Sequence, residues 1–186
     1  MNIGESNGSN VTMNINDTAT FRATAASVKV GMNTGKGTLV MNGGVLNAGS
    51  FEVGYGSSNT QAADGTVTLN TGSTLNSEGD VRLGYAGSAS AKAVVNINGG
   101  DLNIATTTKR WMIIGYWDFV SSTVNIDSGR LNLNTNTDIR MKPKAGTGAN
   151  IVNLNGGAIT SYSDNKTTAD GSGVVDLMNL GASGVT

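Results

Sequence analysis

Apolar and polar residues alternate along most of this chain in short bursts, and one burst recurs. VTMNIN begins at residue 11, LVMNGG at 39, VTLNTG at 67, VNINGG at 95, VNIDSG at 124 and VNLNGG at 152. The starts lie 28 or 29 residues apart, the mark of an internal repeat. Val11, Leu39, Val67, Val95, Val124 and Val152 form one apolar column; two residues on, Met13, Met41, Leu69, Ile97, Ile126 and Leu154 form a second. Thr12, Val40, Thr68, Asn96, Asn125 and Asn153 separate them. A period of two bounded by Gly and Asn predicts short strands with one buried face.

Two more strand-like pieces follow each phrase. The first holds Leu46-Asn47, Leu75-Asn76, Leu102-Asn103, Leu131-Asn132 and Ile159-Thr160. The second reads SVKVG from 27, FEVGY from 51, VRLGY from 81, MIIGY from 112 and DIRMK from 138, and the opening MNIGE looks like one more copy. No segment carries a sustained 3.6-residue period, so no helix is expected. The pattern predicts an all-β chain folded as a parallel β-helix of about six rungs, roughly 28 residues each, with three short strands per rung. Stacked rungs repeat at about 4.8 Å and bury their apolar columns in one continuous interior. Leucine-rich repeats share the period but need a tighter leucine register, and a propeller blade needs about 40 residues.

Composition narrows the picture. There are 27 glycines and one proline, a bias that suggests disorder until the repeat is seen. Asn14, Asn42, Asn70, Asn98, Asp127 and Asn155 follow the first strand and predict a structural ladder in which each amide bonds the next rung. Gly44, Gly72, Gly100, Gly129 and Gly157 are expected to supply positive φ at the same corner. Charged residues make up 13% of the chain and the net charge is −1, which does not provide the basic footprint of a nucleic-acid binder. No apolar run approaches a membrane span of about 20 residues, so no membrane partner is expected. Cysteine and histidine are absent, which removes disulfides, thiolate metal sites and histidine general bases. The patterned start predicts that residues 1–186 are one β-helix domain excised from a longer multidomain protein.

Catalysis on a β-helix needs clustered carboxylates, and the acidic residues here are scattered. The nearest grouping is Glu78 and Asp80 beside Glu52 and Arg82. The outward third-strand column runs Lys29, Glu52, Arg82, Ile113, Arg140, which predicts a solvated ion ladder worth little to stability. No metal, cofactor or catalytic residue is expected.

The aromatic residues are less evenly spread. The chain has nine, and four fall in KRWMIIGYWDF, residues 109–119. After the third-strand glycine, Met32, Tyr55, Tyr85, Tyr116 and Lys142 occupy equivalent places, which puts three tyrosines on consecutive rungs. Stacked tyrosines make either a stabilising ladder or an outward strip on which sugar rings stack. Met112 and Ile114 fit the inward column, whereas Ile113 points outward and makes its face locally apolar. Trp111 and Trp117 lie off the core register. With Ile113, Lys109, Arg110, Asp118 and Arg82 they read as one binding platform continuing the strip of Tyr55, Tyr85 and Tyr116.

The repeat V-x-L-N-x-G-x-L-N followed by L-x-L-G resembles the β-helical passenger repeats of autotransporter-type bacterial surface proteins. A right-handed coil is the expectation of that family. In size, low charge and repeat style the chain also resembles the β-helical carbohydrate-binding modules of family 89. That second resemblance implies a secreted or cell-surface bacterial module, fused to a glycoside hydrolase catalytic domain, that binds xylan or a related β-glycan without catalysing its cleavage. The alternative is a structural stalk or adhesin fragment of a bacterial surface protein.

Overall fold

A computed structural model describes residues 1–6, 8–58, 60–85, 91–104, 110–116, 120–134, 137–141 and 148–161. It shows one continuous parallel coil and, among the described residues, no helix. The first two turns are long bent strands, β2 (Asn10–Met32) and β3 (Lys36–Tyr55). The third divides into β4 (Asp64–Asn70), β5 (Ser73–Ser77) and β6 (Val81–Tyr85). The fourth consists of β7 (Lys92–Ile104) and β8 (Trp111–Ile114), and the fifth of β9 (Ser121–Leu133) and β10 (Asp138–Met141). Beyond these five complete turns stand β1 (Asn2–Ile3) before the first, and β11 (Asn150–Leu154) and β12 (Ala158–Ser161) after the fifth. Every pairing is parallel, and each rung lies on the equivalent part of its neighbour.

The interior follows the alternation. Leu39, Val67, Val95 and Val124 stack in one column, and Met41, Leu69, Ile97 and Ile126 in the next, all buried. Leu46, Leu75, Leu102 and Leu131 line the second strand; Val30, Val53, Leu83 and Ile114 line the third. The third strand ends on glycines with positive φ: Gly4, Gly31, Gly54, Gly84 and Gly115. A Cβ on Gly31 would lie 2.0 Å from the carbonyl oxygen of Asp64, which explains why this corner accepts no side chain. At the earlier corner Gly44, Gly72 and Gly129 have the expected positive φ, but Gly100 and Gly157 do not, and Gly99 takes the left-handed place instead.

The first rung departs from the reading of the sequence by two residues. Met13, not Val11, pairs with Leu39, and Ile15 pairs with Met41. VTMNIN carries the same alternation in either register, and a slip of two leaves the buried face unchanged. Val11 therefore sits 43% exposed, and the ladder begins at Asn16 rather than Asn14.

That ladder is one of three. In the first, Asn42 Nδ2 donates to Asn16 Oδ1 (3.0 Å), Asn70 to Asn42 (2.7 Å) and Asn155 to Asp127 (2.6 Å). Along the second strand Asn76 donates to Asn47 (2.9 Å), Asn103 to Asn76 (2.7 Å) and Asn132 to Asn103 (2.6 Å), with the Thr160 hydroxyl donating to Asn132. In the outward first-strand column Asn125 donates to Asn96 (2.8 Å) and Asn153 to Asn125 (2.7 Å). Each bond points from the later rung to the earlier one. The first ladder breaks where this direction fails. Asp127 accepts but has no N–H to pass down, Asn98 pairs with Ser128 instead, and Asn98 Oδ1 is buried without a partner.

Asn103→Ala leaves Asn76 Oδ1 and Asn132 Nδ2 half-buried and unpaired, and is expected to lower the unfolding free energy in urea by about 1–3 kcal/mol. Asn103→Asp sets a carboxylate against Asn76 Oδ1 and is expected to cost at least as much at neutral pH. Its deficit should shrink below about pH 4, where a protonated Asp regains a donor. A pH-independent deficit would contradict the direction assigned to the ladder.

Candidate functional site

The third-strand face gathers most of the expected site residues. Tyr55 pairs in register with Met32 and Tyr85, at the turn just past the Gly corner. The rings of Tyr55 and Tyr85 stack with centroids 5.1 Å apart and planes 8° from parallel. Those of Tyr85 and Tyr116 lie 4.3 Å apart, tilted by 33°. Lys29 Nζ covers the remaining face of Tyr55, 3.5 Å from its centroid. Both faces of Tyr55 and of Tyr85, and one face of Tyr116, are thus turned on a neighbouring ring or on a cation. Lys142, expected to end the column, lies outside the described residues, as do the expected site residues Lys109, Trp117 and Asp118.

Burial raises the pKa of the Tyr85 phenol above its ordinary value, and Tyr116 adds to the shift by charge and by a hydrogen bond. Tyr55 adds a smaller contribution, and Arg82 opposes it.

The charged column beside the tyrosines differs from the expected solvated ladder. Glu52 is only 4% exposed, held between Lys29 (Nζ to Oε2, 3.4 Å) and Arg82 (Nη1 to Oε1, 3.2 Å). Arg82 also bonds Asp80 through Nη2 (2.8 Å to Oδ2). Burial disfavours the Arg82 charge, but Asp80 and Glu52 outweigh it and the guanidinium pKa is raised. Alternating sign on successive rungs places a cation on each side of the carboxylate, so an outward position becomes an inner part of the wall.

Ile113 is corrected in the same way. It faces outward between Arg82 and Arg140 in register, yet it is 7% exposed and offers no open apolar patch. Its neighbours in the column are long side chains, so an outward direction does not produce exposure.

Asp80 also fixes Trp111. Its Oδ1 accepts the Trp111 backbone N–H at 3.1 Å, and the Arg140 guanidinium lies 4.6 Å from the indole centroid. The indole N–H is buried with no acceptor among the described residues. Arg110 Nε donates to the carbonyl of Glu78 at 3.1 Å, one rung down. The structure thus brings Tyr55, Tyr85, Tyr116, Arg82, Ile113, Trp111 and Arg110 onto one face and adds Lys29, Glu52, Asp80 and Arg140. The outward column named five of these residues, Lys29, Glu52, Arg82, Ile113 and Arg140, but a count of charges along a column does not show which carboxylate two cations will close over.

Among the described residues no three of His, Cys, Asp and Glu are grouped to hold a metal, and no helix is long and apolar enough to cross a membrane. Fold and register define a parallel β-helix repeat protein. No family model, curated protein or solved structure matches the chain, so its two resemblances rest on the repeat phrase, size and low charge.

Two outcomes are expected. Arg82→Met, which leaves Glu52 with one cation and Asp80 with none, should cost about 3 kcal/mol in urea unfolding. Because the folded-state pKa of Tyr85 is raised, its contribution is fully present below the unfolded tyrosine pKa of about 10. It should be lost as pH rises through the folded value, seen as late-titrating tyrosinate absorbance and falling stability over the same interval.

Proposed function

We propose that this chain is a non-enzymatic structural rod: a spacer or stalk of a secreted or cell-surface bacterial protein, as its passenger-type repeat implies. The observation that supports this reading is where the side chains of the third-strand face point. Tyr55 is enclosed by Lys29 and Tyr85, Tyr85 by Tyr55 and Tyr116, and the Trp111 ring carries Arg140. Sugar recognition by stacking needs a free ring face, and these faces serve neighbouring rungs instead. The same use of side chains recurs in the asparagine ladders.

A xylan-binding or related polysaccharide-binding module is the second reading. It is favoured by the half-exposed edges of Tyr55, Tyr85 and Tyr116 lying in one line along the rod, beside Arg82. A linear glycan meeting those edges would bind by hydrogen bonds to phenol and guanidinium groups rather than by ring stacking.

Affinity electrophoresis through gels containing xylan, β-glucan, mannan or pectin separates the two. The rod reading predicts unchanged mobility in all four. Retardation by one polysaccharide, abolished in Tyr85→Ala and in Trp111→Ala with the far-UV spectrum unchanged, would replace it with the binding module.

A further inference from the structure

The three tyrosines of the third-strand face are almost evenly spaced in the sequence but unevenly spaced in the fold. Tyr55 and Tyr85 pair in register at the ends of β3 and β6, and their rings lie 5.1 Å apart with planes 8° from parallel. Between β6 and β8 the register stops at Leu83 and Ile114. Beyond it the N–H groups of Gly115 and Tyr116 both turn to the Leu83 carbonyl, at 2.9 and 3.2 Å. Tyr116 thus stands outside the strand, and its ring meets Tyr85 at 4.3 Å with a tilt of 33°.

The tilt draws one particular pair of edges together. The phenols of Tyr85 and Tyr116 are hydrogen-bonded to each other. A bond between hydroxyls spans about 2.8 Å, less than the distance between the ring centroids, so the rings converge toward their hydroxyl ends. The ortho carbons flank those hydroxyls and are carried toward each other with them. Tyr55 acts on Tyr85 through charge alone, and its nearly parallel ring brings no edge closer than another. The Lys29 ammonium, 3.5 Å from the Tyr55 centroid, also opposes removal of an electron from that ring. Tyr85 and Tyr116 are both half-buried, with edges within reach of a small solute.

We infer that Tyr85 and Tyr116 form an oxidative modification site, at which a one-electron oxidant joins the two rings as a dityrosine and ties the third turn covalently to the fourth. Two molecules of oxidant are consumed. Each takes one electron from one phenol, and the phenolic proton leaves to water at the open edge. The unpaired electron of each tyrosyl radical is shared between its oxygen and its ortho carbons. One C–C bond forms between the facing ortho carbons. The hydrogen on each of those carbons then passes as a proton to the oxygen of its own ring, and both rings regain aromaticity. The net change is the loss of two hydrogen atoms, as two electrons to the oxidant and two protons to water. The coupling needs no ligand and no second molecule, so it holds for a spacer and for a polysaccharide-binding module alike.

The four tyrosines fall on four different tryptic peptides, which makes the site readable. The full, folded chain is treated with hexachloroiridate, a small one-electron oxidant, then digested and mapped by mass spectrometry. The expected product is a chain that still migrates as a monomer under denaturing conditions, shows dityrosine fluorescence and has lost two hydrogen atoms. Its linked peptides should be residues 83–92 and 111–130, which carry Tyr85 and Tyr116. Tyr85→Phe and Tyr116→Phe, which keep the rings and remove the phenols, should each abolish the product, whereas Tyr55→Phe should leave its yield unchanged. A link across residues 85 to 116 restricts the unfolded chain, so the coupled protein should unfold at higher urea than the untreated one.

A link from Tyr55 to Tyr85, a link to Tyr162, which lies outside the described residues, or a link between chains would overturn the assignment. The absence of any linked peptide, with the tyrosines consumed or intact, would overturn it as well. A urea midpoint no higher than before would contradict the tie between the two turns.

Discussion

The constraint on which this structure depends is that like must lie over like at one strand spacing. A parallel coil places each residue about 4.8 Å above its equivalent in the previous rung, and every column must be a side chain that tolerates its own copy at that distance. Aliphatic residues do so in the interior. Asparagine does so outside, because its amide donates downward and accepts from above, and tyrosine does so by facing ring to ring. The observed separations of 4.3 and 5.1 Å between tyrosine rings, and amide bonds between 2.6 and 3.0 Å, are what that spacing permits. Charge obeys the same rule with its sign reversed: Lys29, Glu52 and Arg82 alternate, because a like pair at this distance repels.

This accounts for the character of the third-strand face. A strip of aromatic and charged residues on a repetitive scaffold resembles a ligand platform, yet each member first answers to its neighbours one rung away. Glu52 is buried because two cations flank it, and Trp111 is held by Asp80 below and Arg140 above. The asparagine ladders extend the same logic along the rod. Because their bonds all point one way, the molecule has a chemical direction that its alternation of apolar residues alone would not give it.

Alternation, spacing and the Gly corner make the parallel coil, its strands and its columns legible in the sequence. The register of the first rung is not, because VTMNIN repeats its own pattern after two residues and both placements bury the same face. Of the ladders, the one following the first strand was visible as a column of asparagines. The second-strand set, Asn47, Asn76, Asn103 and Asn132, was visible only as the residues that follow the core leucines. The site was legible as a list of residues but not as an arrangement. Whether a tyrosine shows its face or its edge, and whether Ile113 is exposed or closed over, depends on the rungs on either side.

Native-state hydrogen exchange, read amide by amide, tests the stacking account most directly. Where stability is a sum of contacts between neighbouring rungs, opening should cost least at the ends and most in the middle. The account predicts opening free energies that climb from β11 and β12 inward, with the amides of Leu69 in β4 and Ile97 in β7 among the slowest to exchange. Protection as high at Leu154 as at Ile97, or a central rung that opens before the ends, would contradict it.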